Sequence, residues 1–445
     1  MQGCILRKWL AIVLLLVGIG QLSIRTLRRG DDLPLWDFTP NYLATNQWFH
    51  GGDPYDIERI RASWHDMTGS SADVQPWWSV YPPTTFVVLA PVGALPLRTA
   101  LFAWGIISTA LFLSAIFALS DLGGFTLRDA RTWLLVGGVL CSAPAQFGLM
   151  SGQPTVAVLS LAILAVWAIA RRHEKTAGAL LAIACAIKPQ VAAPFVAYYL
   201  VLRKWRVVDL AVLLICVIAA ATMILMHATH VDWVTGWSQN LRGTVASGGV
   251  NDPTSANPWR DQMINLSVML QSLVHSPLLP RVLAMCVTAV LLALYVRAFP
   301  RVEQRLITRA RGRSVDLLPL ATLTAMSLLP VYHRIYDALV LCLAFAWALS
   351  ELDGPRRRFA VAALFALSIF LVPFNVLNSV LYRAPQLTPL SHRWWWQVFL
   401  VPHYAWAALL ACVLLLRAMW RARFGISIEK MQGMTMHRRP PFVTG

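Results

Sequence analysis

The sequence has little charge for its length and is short of acidic residues in particular. Charged residues make up 13% of its 445 residues, whereas 57% are hydrophobic and the mean hydropathy is +0.58. A soluble domain of this size could not cover so much apolar surface with so few charges. The apolar residues form runs long enough to cross a bilayer, so we predict an all-α polytopic membrane protein with about twelve transmembrane helices.

Motifs for nucleotide, metal and covalent chemistry are also absent from the sequence. There is no phosphate-cradling glycine loop, no His-Glu-x-x-His pair and no nucleophile elbow. Six of the seven cysteines lie within apolar runs and none are paired at a metal-like spacing. We therefore expect neither a disulfide framework nor a zinc site, and we expect no metal and no cofactor.

The net charge of +17 does not predict nucleic-acid binding, because of where the basic residues lie. They cluster in short loops: Arg171, Arg172 and Lys175; Arg203, Lys204 and Arg206; six arginines from Arg297 to Arg313; Arg356, Arg357 and Arg358; and Arg417, Arg421 and Arg423. Such clusters mark the cytoplasmic loops of a membrane protein. The segment from Arg28 to Val80 instead carries four arginines against eight acids, so we expect it outside the cytoplasm.

Residues 1–423 are predicted to form one integral-membrane domain, with 28–80 as its first extracytoplasmic loop. Residues 424–445 are predicted to be a disordered, basic cytoplasmic tail. The apolar run from Tyr81 to Leu97 contains four prolines, and we expect it not to cross the membrane fully. The run from Ala177 to Arg203 leaves and returns to the basic side, which predicts two short helices meeting near Lys188.

The first extracytoplasmic loop is predicted to contain two helices. Thr39-Pro40 resembles a helix start, with Thr39 as the N-cap and Pro40 at the first helical position. Apolar residues follow at helical spacing, so we predict an amphipathic helix that lies flat on the outer membrane surface and ends at Gly51-Gly52. A second short helix is predicted for Asp56 to Met67.

Asp37, just before the first of these helices, is the predicted catalytic residue. A carboxylate acts as a general base toward a hydroxyl if it stays ionised and is held in place. A position next to a helix N-terminus favours the ionised form, because the helix dipole stabilises an anion there. The alternative is that Asp37 only caps the helix or faces solvent.

Three basic residues are predicted to bind a phosphate group on the same side of the membrane. Lys188 lies at membrane depth, where an ammonium group is costly and often functional. His333 and Arg334 follow Pro330 at the start of a helix, which is a natural site for an anion. The alternatives are a lysine that extends to the interface and a salt bridge between Arg334 and Asp337 on one helix face.

Four further residues are predicted to bind the sugar or the acceptor: Asp53, Tyr81, Gln153 and Asp337. For Asp53 the alternative is turn chemistry, since it follows two glycines and precedes a proline. Tyr81 and Gln153 both stand directly before prolines that begin helices, so a role in starting those helices explains both residues nearly as well.

Several of these motifs, in this order, resemble glycosyltransferase family 87. The resemblance covers nearly the whole chain and is carried by Trp36-Asp37-Phe38 with Tyr42, Gly52-Asp53-Pro54-Tyr55, Tyr81-Pro82-Pro83, Gly152-Gln153, the segment from Ala177-Gly178 to Lys188-Pro189 closed by Arg203-Lys204-Trp205-Arg206, and the turn from Pro330 to Asp337. The family comprises bacterial membrane enzymes of the GT-C class, among them alpha-mannosyltransferases that use polyprenyl-phosphate mannose.

The resemblance implies a GT-C-type helical bundle in the bacterial plasma membrane with its active site on the extracytoplasmic side. It implies transfer of a hexose, mannose foremost, from a polyprenyl-phosphate donor to a hydroxyl of a glycolipid or glycan. The aspartate matching Asp37 is the family's expected base, and either His333 or Asp337 takes the role of the family's second turn residue. The alternative function is a transporter or flippase for a lipid-linked sugar, which would use the basic residues without needing Asp37 as a base.

Overall fold

The structure is a computed structural model that describes residues 2–27, 35–69, 79–274, 276, 278–299 and 315–436. This part of the chain forms helices joined by turns and contains no strand. The α-helices are α1 Gln2–Leu27, α2 Phe38–Phe49, α3 Ile57–Thr68, α4 Thr84–Gly93, α5 Leu97–Leu122, α6 Ala130–Cys141, α7 Ala143–Ser151, α8 Pro154–Ala170, α9 Glu174–Ile187, α10 Pro189–Val201, α11 Trp205–Ala228, α12 Trp233–Val245, α13 Leu266–Gln271, α14 Leu279–Ala298, α15 Leu318–Ser327, α16 Cys342–Ser350, α17 Arg357–Ser368, α18 Val376–Arg383, α19 Thr388–Ser391 and α20 His403–Met436. Short 3-10 helices span Arg260–Gln262, Ile335–Leu341, Ile369–Leu371 and Pro385–Leu387, and a π-helix spans Trp396–Leu400.

Within these residues, five helices are long and apolar enough to cross a membrane, and two bent helix pairs raise the number to seven. The five are Ile5–Ile24, Leu97–Leu122, Trp205–Ala228, Leu279–Ala298 and His403–Arg421. Helical membrane character is thus present, but the predicted count of about twelve spans is not confirmed. The run from Tyr81 to Leu97 contains α4, whose ten residues reach only about 15 Å of the roughly 30 Å needed to cross.

The predicted break at Lys188 is present between α9 and α10. Proline disfavours the helical conformation in the residue before it, and Lys188 accordingly has φ −146° and ψ 83° ahead of Pro189. The hydroxyl of Thr85, in α4, donates to the carbonyl oxygen of Ile187 at 3.0 Å. This bond satisfies a carbonyl group at the end of α9 and ties α4 to the break.

A second break, between α6 and α7, divides the apolar run from Thr132 to Met150. The two helices meet at 62°, and Ser142 lies between them. The Ser142 hydroxyl accepts a hydrogen bond from the backbone N–H of Ala145, which caps α7. Because α7 then ends at Ser151, its C-terminus is placed beside the start of α8.

The first loop helix, α2, differs from the prediction. It begins at Phe38 with Asp37 in the N-cap position, and Thr39 lies inside the helix with its hydroxyl bonded to the Leu35 carbonyl oxygen. Nine of its twelve residues are buried, because α2 packs against α4 inside the protein. The prediction of an amphipathic helix flat on the membrane surface is therefore wrong for α2. The second predicted helix is confirmed as α3, with Asp56 as its N-cap.

One end of the bundle carries ion pairs between arginines and acidic residues. At this end Arg356 pairs with Asp316 at 3.0 Å, and it also contacts Glu351. Arg171 contacts Asp121 at the ends of α8 and α5. Because α15 leads away from Asp316, the turn that follows it, 328–336, lies at the opposite end of the bundle. This second end holds the cavity described below.

Some predictions concern residues that the structure does not describe. Arginines 301–313 of the third basic cluster lie outside the described residues, as do 28–34 and 70–78 of the first loop. The backbone is helical as far as Met436, within the stretch 424–445 that is predicted to be a disordered tail, and 437–445 lie outside the described residues.

Candidate functional site

Four helices begin around one cavity of about 270 Å³. The N-cap positions of α2, α8, α10 and the 3-10 helix Ile335–Leu341 are occupied by Asp37, Gln153, Lys188 and Arg334, and all four residues line the cavity. A helix N-terminus presents unpaired N–H groups and a partial positive charge, which favour an anion. The first N–H groups of α2 are bonded to the Leu35 carbonyl oxygen, and α8 and α10 begin with prolines, so the side chains of Lys188 and Arg334 supply most of the positive charge here.

Asp37 lines the cavity and does not act as a side-chain cap. It occupies the N-cap position of α2, but its carboxylate makes no hydrogen bond to the helix N–H groups. Its Oδ2 atom instead accepts a hydrogen bond from Gln153 Nε2 at 3.3 Å. The backbone N–H of Asp37 donates to the Ser151 carbonyl oxygen at 3.0 Å, which fixes the residue beside the end of α7. The alternative that Asp37 merely caps α2 is therefore not supported.

The protonation equilibrium of Asp37 reflects two opposing effects. Burial raises the pKa of the Asp37 carboxyl above its ordinary value, because the charged form loses hydration. The positive charge of Arg334 and the hydrogen bond from Gln153 act in the opposite direction. A carboxyl whose pKa is raised toward the working pH is a stronger base than an ordinary aspartate.

The side chain of Gln153 is oriented so that its amide nitrogen faces the Asp37 carboxylate. Its Oε1 atom accepts a hydrogen bond from the Tyr81 hydroxyl, so its Nε2 group is left to donate to Asp37. Gly152, just before it, has φ +68°, and its carbonyl oxygen accepts from Trp104 Nε1 at 2.7 Å. Tyr81 and Gln153 are thus parts of one hydrogen-bonded chain that ends on the Asp37 carboxylate.

We expect Gly152→Ala to destabilise the protein by about 2–4 kcal/mol and to lower its activity. A Cβ there would be strained by the positive φ and would lie 2.8 Å from Leu35 Cβ and 3.0 Å from Phe38 Cβ. The matched control is Gly51→Ala, since Gly51 also has a positive φ but no atom within 4 Å of an added Cβ. Thermal unfolding in detergent measures the difference. Equal losses at both positions would contradict a packing role for Gly152.

Lys188 is the centre of a buried ionic network. Its ammonium group donates to Asp337 Oδ1 at 2.7 Å and to Thr155 Oγ1 at 2.7 Å. The other carboxylate oxygen of Asp337 lies 3.1 Å from His333 Nδ1. The Tyr336 ring is 4.7 Å from the ammonium nitrogen, a cation–π contact. Lys188 therefore does not extend to the membrane interface, and its charge is largely neutralised by Asp337.

Arg334 carries the less neutralised positive charge of the cavity wall. Its Nη2 group donates to Gln262 Oε1 at 3.3 Å, and among the described residues it makes no direct ion pair. The alternative for Arg334, a side-chain salt bridge with Asp337, is not observed, because only the backbone N–H of Arg334 reaches that carboxylate, at 3.3 Å. Arg334 thus presents to the cavity a guanidinium group without a direct ion pair among the described residues, a group whose geometry suits an oxyanion.

More than half of the chain matches the model of one protein family. The family model of glycosyltransferase family 87 matches residues 78–315, just over half of the sequence. The chain belongs to glycosyltransferase family 87. The family assigns it glycosyl transfer as its class of reaction. No curated protein and no solved structure matches the chain.

The family match and the cavity overlap in part. Tyr81, Gln153 and Lys188 lie both in the matched residues and in the cavity wall. Asp37 and Arg334 line the cavity but lie outside the matched residues, so their roles rest on geometry. Of the eight predicted site residues, these five line the cavity.

The other three predicted site residues lie elsewhere. His333 and Asp337 are buried and do not line the cavity: Asp337 pairs with Lys188, and His333 contacts Asp337. Asp53 is not among the lining residues, and its Oδ1 atom accepts a hydrogen bond from the Tyr55 N–H at 2.9 Å. The turn interpretation of Asp53 thus describes its geometry, and the structure gives it no contact with the cavity.

Several site residues carry no clear signal in the sequence. Asn41, Gln190, Asn251, Tyr332 and Tyr336 are among the other lining residues. Asn41 lies one helical turn after Asp37, and its amide donates to the Asp37 carbonyl oxygen. Of these residues, Asn41 is therefore the one that helical spacing could place beside Asp37. Asp261 does not line the cavity but acts electrostatically on Arg334, which does. It is 6% exposed, and burial raises its pKa to about 6 while Arg334 opposes the shift.

Proposed function

We propose that this protein is a membrane hexosyltransferase. It moves a hexose, mannose foremost, from a polyprenyl-phosphate donor to a hydroxyl of a glycolipid or glycan, with inversion at the anomeric carbon. The observation that carries the proposal is the cavity itself, where a carboxylate without a capping role shares one space with cationic side chains and helix N-termini. The carboxylate would serve as the base for the acceptor hydroxyl, and the cationic groups would bind the leaving phosphate.

The proposed reaction uses the two kinds of group in one displacement. The acceptor hydroxyl oxygen attacks the anomeric carbon while Asp37 takes up the hydroxyl proton. The bond between that carbon and the phosphate oxygen breaks, and its electron pair remains on the phosphate. Arg334, with the helix N-termini and Lys188, stabilises the negative charge that develops on the leaving group. Attack from the side opposite the phosphate inverts the configuration.

One observation supports the extracytoplasmic side of the membrane, which we take to be a bacterial plasma membrane. The cavity lies at the opposite end of the bundle from Arg356 and Arg171, which belong to basic clusters of the cytoplasmic type. The donor phosphate is attached to a polyprenyl chain, so it would lie in the leaflet at the cavity end with its tail among lipids. Both the side and the donor are parts of the proposal.

The direct test is sugar transfer by the purified full-length protein in nanodiscs. The protein is supplied with radiolabelled polyprenyl-phosphate mannose and a glycolipid extract, and the labelled product is examined by NMR for its anomeric configuration. Transfer with inversion supports the proposal, and transfer with retention would contradict the displacement. Movement of the labelled donor across the bilayer of sealed proteoliposomes, without transfer in nanodiscs, would favour a transporter, although the family assignment favours a transferase.

The pH dependence of transfer follows from the raised pKa of Asp37. A base works in its deprotonated form, so we expect kcat to be high above the Asp37 pKa and to fall as the pH drops through it. Because burial raises that pKa, the fall should occur at a higher pH than for an ordinary aspartate, near 3.9. Rates measured from about pH 4 to pH 8 test this.

Asp261→Asn is the control for the pH profile. The Asp261 carboxyl has a pKa raised by burial to about 6 and lies within electrostatic reach of Arg334, so its titration falls in the same range. The acidic fall in kcat should persist in Asp261→Asn. Its disappearance in that variant would assign the profile to Asp261 instead.

A further inference from the structure

The segment 372–400, which joins α17 to α20, is an exposed surface at one end of the bundle. It contains α18, which meets the preceding helix at 50°. With eight residues, α18 reaches about 12 Å, far too short to cross a membrane. None of its residues is buried. Together with the helix before it, α18 is long and apolar enough to form one bent span, so the residues after α18 lie beyond the end of that span. Of these later residues up to 400, Trp396 and Val398 are buried and the others are at least partly exposed.

The contacts of segment 372–400 place it at the cavity end. The Tyr404 hydroxyl, at the start of α20, donates to the Val372 carbonyl oxygen at 2.7 Å. Phe374 packs edge-on against Phe147, with the two ring centroids 4.7 Å apart. Phe147 in turn lies 5.7 Å from the ring of Tyr336, a residue of the cavity wall. A row of three aromatic rings thus connects the segment to the cavity.

The exposed side chains of segment 372–400 are aromatic, aliphatic, neutral polar or basic, and none is acidic. Tyr382 is 88% exposed and Trp394 is 69% exposed. Arg383, His392 and Arg393 are exposed beside them. The sequence contains no aspartate or glutamate between residues 354 and 428. Aromatic rings with a polar edge prefer the headgroup level of a bilayer, and arginine is attracted to anionic headgroups.

We propose that segment 372–400 docks on the membrane surface at the cavity end and binds the headgroups of anionic phospholipids there. A second copy of the chain is a poorer partner, because two such surfaces carry only positive charge and would repel each other. Through Phe374, Phe147 and Tyr336 the docked segment would hold the cavity at the level of lipid phosphates. The inference does not depend on sugar transfer.

Photo-crosslinking in nanodiscs of equal parts phosphatidylglycerol and phosphatidylcholine tests the proposal. The full-length protein carries benzoylphenylalanine in place of Tyr382, and mass spectrometry identifies the lipid adducts. We expect phosphatidylglycerol adducts to exceed phosphatidylcholine adducts by about threefold or more. In the Arg383→Gln/Arg393→Gln variant the ratio should fall to near one.

The matched control carries the same probe in place of Phe365, which is 76% exposed in the middle of α17. A probe among acyl chains should label both lipids equally in both proteins. Absence of lipid adducts at position 382, or a ratio near one in the protein with both arginines, would overturn the proposal. A covalent dimer formed through position 382 would overturn it in favour of a second copy.

Discussion

Asp37→Asn is expected to lower kcat for sugar transfer by about 10²- to 10⁴-fold, the range typical for loss of a general base. The amide oxygen of an asparagine can still accept the hydrogen bond from Gln153, so the fold and the cavity should be kept. Substrate binding should change little, because the lost interaction is made with a proton that moves only during the reaction. Steady-state kinetics in nanodiscs separate kcat from KM.

Asp53→Asn is the matched control for Asp37→Asn. Both residues are aspartates of the first loop, but Asp53 lies outside the cavity and holds the Tyr55 N–H in a turn. We expect its variant to transfer sugar at a rate close to that of the unaltered protein. If Asp37→Asn and Asp53→Asn were equally active, Asp37 would not be the base. The carboxyl to examine next would be Asp261.

The second large effect is expected from Asp337→Asn, which breaks the buried pair with Lys188. Removing one partner of such a pair leaves an uncompensated buried charge, at a cost of about 3–5 kcal/mol. Lys188 and Asp337 are 5% and 1% exposed, so water cannot take over the lost contact. We expect a large drop in the thermal unfolding midpoint in detergent, together with loss of transfer.

Two further variants, one outside the network and one within it, separate its effect on stability from its effect on transfer. Asp353→Asn breaks an exposed pair with Arg7, which should cost less than about 1 kcal/mol. Lys188→Met/Asp337→Leu removes both charges, so it should recover part of the stability lost in Asp337→Asn while remaining poorly active. The network would have no special role in stability if Asp337→Asn unfolded at the same temperature as Asp353→Asn.

The Lys188–Asp337 pair shows where the prediction for Lys188 from the sequence is incomplete. Position at membrane depth indicates a functional cation, and Lys188 does line the cavity. Its charge, however, is already paired with a residue 149 positions away. No local pattern reveals such a contact, because it depends on how α10 packs against the turn after α15. Arg334 therefore becomes the main phosphate contact of the proposal.

The burial of helix α2 is a second feature that a local sequence pattern does not reveal. Its apolar residues recur at helical spacing, which predicts one buried face and one polar face. In the structure its polar residues are satisfied internally, since the Asn46 amide donates to the Gly93 carbonyl oxygen at 2.8 Å. Asn41 and Thr45 are likewise bonded to carbonyl oxygens of their own segment. Polar side chains bonded in this way can be buried, so spacing alone misjudges the helix.

The sequence by itself determined the membrane class, the family, the helix break at Lys188-Pro189 and the position of Asp37 ahead of a helix. These follow from composition, from proline stereochemistry and from short motifs, all of which act over a few residues. Only the tertiary structure decided that the N-termini of α2, α8, α10 and the 3-10 helix Ile335–Leu341 share one cavity. It also decided that Asp337 neutralises Lys188 and that Asp53 lies elsewhere. Those outcomes depend on packing between segments far apart in the chain, which local propensities do not encode.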